Sequence, residues 1–169
     1  MRTLIVLGLL FPAVTAHAAM TAEDFIRQAG SQAVAAMEAG RMAQATDSAP
    51  ASVRQLGRDL GSSAAATNQH LQDLAAGAQL PLPAQLEPAE RNTLERLSHL
   101  RGPAFTRGYL SHATDLLERQ RALFQVATTV EDAGLAQLAR DTLPTLENQL
   151  LVADALHDAQ ELSANIPGR

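Results

Sequence analysis

Residues 53–74 read VRQLGRDLGSSAAATNQHLQDL, and Val53, Leu56, Leu60, Ala64, Thr67, Leu71 and Leu74 return within them every three or four positions. That rhythm puts the seven on one face of an α-helix and leaves Arg54, Arg58, Asp59 and Gln69 elsewhere around it. The pattern runs on to Gly77. Immediately before it, Asp47-Ser48-Ala49-Pro50 is a turn and restart, because Asp or Ser can cap a helix and Pro suits a first helical turn. Upstream, Thr21-x-x-Asp24 offers an N-cap hydroxyl and an early acid, and Phe25, Ala29, Ala36, Gly40 and Ala43 then share a face. A first helix is predicted from Ala22 to Thr46, antiparallel to the second because the connection is short.

Downstream, Pro81, Pro83 and Pro88 exclude a continuous helix between Gln79 and Glu87. Pro88 to Leu100 reads as a shorter helix stopped by Gly102-Pro103. Leu110, Ala113, Leu117, Phe124 and Ala127 mark a helix from Ala104 to Thr129. Leu135, Leu138, Thr142, Leu146, Leu150, Ala153 and His157 mark a last one, kinked at Pro144. Two long antiparallel helices, a long connection carrying a short helix, and two more long helices describe an all-α, ferritin-like four-helix bundle with one crossover.

Composition agrees with that class. The 169 residues include 33 Ala and 26 Leu, aromatics make up 3%, and there is no Trp. A formal charge of −5 argues against nucleic acid as a partner. All 13 basic residues are Arg, so amine nucleophiles and Schiff bases are excluded. The absence of Cys excludes disulfides, thiolate catalysis, Fe–S clusters and Cys-ligated zinc.

Residues 1–18 read as a signal peptide: Met1-Arg2 supplies a positive start, Thr3 to Val14 is apolar, and Ala16-His17-Ala18 suits a signal peptidase. Cleavage is expected after Ala18, which leaves residues 19–169 as a single bundle domain in the periplasm or secreted. No later segment is apolar enough to span a bilayer.

Phe25 to Gly40, Leu56 to Leu74 with Asn68-Gln69-His70-Leu71, Ala104-Phe105 with Tyr109-Leu110, Ala122-Leu123-Phe124, and Leu143-Pro144-Thr145-Leu146 with Leu150 together resemble an exported bacterial family. It is the ferritin-like domain of unknown function numbered four-one-four-two. The resemblance implies a fold and a compartment, but no activity. The family's pattern keeps an acid in the first helix, an Asp-His pair in the second, a His in the third long helix and a His after the Leu-Pro motif. Here those places hold Ala36, Ser63-Ala64, Leu117 and Gln149. Ala36, Ala64, Leu117 and Gln149 each fall on the apolar stripe of their helix and are expected to line an apolar centre without ligands for iron, manganese or zinc. Glu38 lies on the other side of its helix and is expected to face solvent.

Other constellations read as solvated faces. His70 with Asp73, His112 with Asp115, and Asp154 with His157 stand one helical turn apart, as do Glu95 with His99 and Asp115 with Glu118; His157 is the exception, lying on its stripe as a packing residue at the core edge. Ser62 and Ser63 follow Gly61 without the strand or Gly-x-Ser-x-Gly elbow of a nucleophilic serine. Tyr109 is expected to pack against the crossover with its hydroxyl at the rim. Ala33, Ala36, Gly40 and Ala43 facing Ala64, Ala65 and Ala66 predict close approach of the first two helices and disfavour a wide cavity between them. Leu116, Val126, Leu151 and Val152 fall off the stripes, which leaves room for a protein partner of unspecified identity.

The sequence thus reads as a non-enzymatic periplasmic bundle acting through protein or envelope contacts, with no cofactor, no catalytic residue and no central metal. The alternative is a metal- or small-ligand-binding protein that uses an off-centre site at His112, Asp115, Asp154 and His157.

Overall fold

The computed structural model describes residues 20–164. The segment read as a signal peptide, and the expected cleavage after Ala18, lie outside the described residues. Five helices make up the architecture: α1 (Ala22–Ala45), α2 (Ala51–Ala78), α3 (Pro88–Ser98), α4 (Gly102–Ala127) and α5 (Ala133–Ala164). Among the described residues there is no strand, so the chain is an all-α helical bundle.

Local chemistry sets the boundaries. The Thr21 hydroxyl accepts from the Asp24 backbone N–H at 3.1 Å and donates to its carboxylate at 2.8 Å. That satisfies one of the free donors at the start of α1. Pro88 occupies the first turn of α3, where its missing N–H costs nothing. Asp132 accepts from the Leu135 N–H at 2.9 Å and so caps α5. The apolar rhythm runs to Gly77, and the residue beyond the last turn of α2 is Gln79, held at φ 57 while Leu80 N–H closes back on the Ala75 carbonyl. Gly77 remains inside the helix.

Four long helices form a ring in the order α1, α2, α5, α4, with each neighbouring pair antiparallel. The Gly102 N–H donates to the Ser48 hydroxyl at 3.0 Å, so α4 starts beside the α1–α2 turn. The crossover therefore returns along the full length of the bundle, and α3 packs on α1 and α4. α5 passes Pro144 as a single helix, as the sequence suggested.

The core interlocks through Phe25 and Phe124, edge to face at 5.2 Å, and through Phe105 stacked on Tyr109 at 5.7 Å. The α1–α2 pair is closest near one end. A Cβ added at Gly40 would lie 2.5 Å from the Gly57 carbonyl oxygen, so only hydrogen fits there. The two helices do approach closely, but through Gly40 and Ala43 against Gly57 and Gly61; Ala65 and Ala66, expected in that contact, are exposed.

Two side chains depart from the sequence reading. Leu116, placed off its stripe, is buried, because α4 is covered by α3 as well as by α1 and α5. Its buried arc consequently widens to include Phe105, His112, Leu116 and Leu123. The Tyr109 hydroxyl does not reach the rim: the whole side chain is buried and its oxygen sits near Gly57, in space left by small residues. That oxygen has no hydrogen-bond partner, and burial raises its pKa well above the usual phenol value.

Candidate functional site

The positions where the resemblance placed acid and imidazole ligands are buried, as their stripes required. Ala36 and Leu117 are fully enclosed, and Ala64 and Gln149 are nearly so. Gln149 Nε2 donates to the Ser63 hydroxyl and to the Asp59 carbonyl, both at 2.9 Å, and ties α5 to α2. Gln149 is not the lone polar residue in the interior. Gln120 on α4 is also buried, and its Nε2 donates to the Gln32 carbonyl of α1 at 3.3 Å. Sequence reasoning missed Gln120, although it lies three residues from Leu117 and four before Phe124, within the buried arc of α4.

The off-centre residues do not form one group. Asp115, Asp154 and His157 share an open groove between α4 and α5, where the Thr114 hydroxyl donates to Asp154 at 3.3 Å. His112 faces the other way, toward α3. It is buried, with Nε2 3.1 Å from Oε1 of Glu90 but without hydrogen-bond alignment, while Arg119 reaches the second Glu90 oxygen at 3.5 Å. The reading of His112 and Asp115 as an exposed pair is therefore corrected. The crossover helix, whose position the local pattern did not reveal, covers the imidazole and replaces its neighbour on the same helix with a carboxylate from α3. Burial lowers the His112 pKa, and Glu90 opposes that shift. No cluster of three or more His, Asp or Glu side chains with metal-binding proximity occurs among the described residues.

His70 and Asp73 are exposed, and Glu38 is half-buried and paired with Arg41. Ser62 and Ser63 donate to carbonyls of their own helix, at 3.2 and 3.1 Å, which fits the absence of a base beside them.

A concavity lies between α2 and α5, in the half of the bundle away from the glycine contact. It encloses about 480 Å³ and reaches Ala29 and Ala33 of α1 and Gln120 and Phe124 of α4. The small residues of α1 and α2 do exclude a cavity where those two helices touch. Farther along, the same small residues leave space toward α5. Pro144, which cannot donate to the Arg140 carbonyl, does not line it but lies between Thr142 and Thr145, which do.

The outer side of α5 carries a second feature. Leu151 and Leu162 are 69% and 70% exposed, Val152 is 41% exposed, and Leu151 and Leu162 project from the same side three turns apart. Val126, at the end of α4, is also exposed, as expected. Apolar residues on α5 thus occupy both its inner and outer faces, unlike those of the other long helices.

No helix among the described residues is long and apolar enough to cross a membrane. The model of the family described as a domain of unknown function (DUF4142) matches residues 11–156. No curated protein and no solved structure gives a significant match.

Proposed function

The chain belongs to the DUF4142 family, and on that premise we propose that it is an exported, non-enzymatic protein working in the periplasm through protein or envelope contacts. The observation that carries this reading is the outer face of α5, where Leu151 and Leu162 stand in water on a helix whose inner face is already buried in the core. A helix apolar on both faces suits a position between two partners. Burying two such leucines would contribute about 1.5–3 kcal/mol each.

The bundle centre supports the non-enzymatic part. Ala36, Ala64 and Leu117 offer no ligand atoms, and Gln149 supplies a single neutral amide oxygen. A ferritin-like di-metal site needs carboxylates and imidazoles in those places. Export rests on the apolar run from Thr3 to Val14 and on Ala16-His17-Ala18.

A photo-crosslinking residue at Leu151 tests the reading in the native envelope. The expected result is one discrete adduct that disappears in a Leu162→Ser background. Diffuse or absent crosslinking would contradict the assignment.

A further inference from the structure

The cavity between α2 and α5 is independent of the outer α5 face, and its chemistry is graded from floor to mouth. Ala33, Ala64, Phe124, Leu138 and Leu146 are buried and form an apolar floor. The rim residues His70, Asp73, Gln137 and Asp141 are exposed, and no Arg lines the space. Its volume of about 480 Å³ is within the range of small-ligand pockets. Gln120, 94% buried, is the polar group of the floor. Its Nε2 is used by Gln32, and its Oε1 makes no bond among the described residues. That oxygen is not sealed off from the space and can accept from a donor carried by a guest.

From this arrangement we infer that the α2–α5 cleft binds a small amphipathic cation, with an apolar body on the floor and a protonated amine at the Asp73/Asp141 rim. Two carboxylates at the mouth attract an ammonium and repel a carboxylate or phosphate. An anionic guest would face two like charges, although Arg140 donates to the rim residue Gln137 at 3.1 Å.

The test uses N-phenyl-1-naphthylamine, a neutral apolar amine whose emission rises in apolar surroundings, as reporter on the purified protein. Octylammonium and octanoate compete with it at equal chain length. Saturable one-to-one reporter binding is expected, with octylammonium displacing it at a concentration at least about tenfold below that needed for octanoate. Asp73→Asn combined with Asp141→Asn should erase that preference without abolishing reporter binding. Ala66→Trp and Thr67→Trp, on the α2 side of the cleft, should each reduce reporter binding, while circular dichroism reports that the helices persist. Leu151→Ser with Leu162→Ser should leave binding unchanged. Absence of saturable binding in the wild type, equal displacement by octanoate, or binding lost in the Leu151/Leu162 variant and retained in both Trp variants would each overturn the assignment.

Discussion

Gln149 of α5 donates from Nε2 to the Ser63 hydroxyl of α2 at 2.9 Å. The two residues stand where the family resemblance would have placed ligands, and they form a strut between helices instead. The Asp59 carbonyl that also accepts from Gln149 receives the Ser62 hydroxyl as well. Gln149 Oε1, by contrast, is buried without a partner. Gln149→Leu should therefore change stability by less than about 1 kcal/mol, since it removes an unsatisfied oxygen along with two bonds. Gln149→Ala should cost about 2 kcal/mol or more by opening a cavity. Equal losses in urea melts of the two variants would mean that the hydrogen bonds, not the packing, hold α5 to α2.

Leu117→Ala should cost about 2–5 kcal/mol, because the side chain is fully buried and its neighbours cannot collapse completely into the gap. Denaturant unfolding with an unchanged m-value measures it. A negligible change would contradict the packing of α4.

Glycines should separate by sign. Gly40→Ala forces a methyl group to 2.5 Å from the Gly57 carbonyl oxygen and 2.9 Å from Gly61 backbone atoms, so the helices must part, at a cost of about 1–3 kcal/mol. At Gly77 nothing lies within 4 Å of an added Cβ, and Gly77→Ala should stabilise by up to about 1 kcal/mol through helix propensity. Thermal melts of the two variants should move in opposite directions.

Acid should weaken the α3–α4 contact. Burial, the dominant influence, depresses the His112 pKa below 6.5, with Arg119 acting in the same sense and Glu90 and Asp115 opposing. The folded state thus binds fewer protons than the unfolded chain just below that value. The stability linked to His112 is complete above about pH 6.5 and is lost as pH falls toward the depressed folded pKa. Melting temperature should fall between about pH 7.5 and about pH 5.5, and His112→Leu should make that fall shallower. Identical slopes would remove His112 from the account.

The order of helices, the Thr21 cap and the burial of Ala36, Ala64, Leu117 and Gln149 were legible because they depend on local periodicity. Leu116, His112 and Tyr109 were not, because their surroundings come from distant chain. α3 widens the buried arc of α4, and Gly57 admits the phenol. The cavity was equally hidden, since its width depends on how far α5 stands from α2. Its floor residues Ala64 and Leu146 look, in sequence, like ordinary core.

Elemental analysis tests the central claim, that this bundle works without metal chemistry at its centre. Protein expressed with iron, manganese and zinc, then dialysed against a mild chelator, should carry far less than one metal per chain and show no ferroxidase activity. Ala36, Ala64 and Leu117 could not offset a buried divalent charge. Stoichiometric iron or manganese that survives dialysis and persists when His112 and His157 are replaced would contradict the claim.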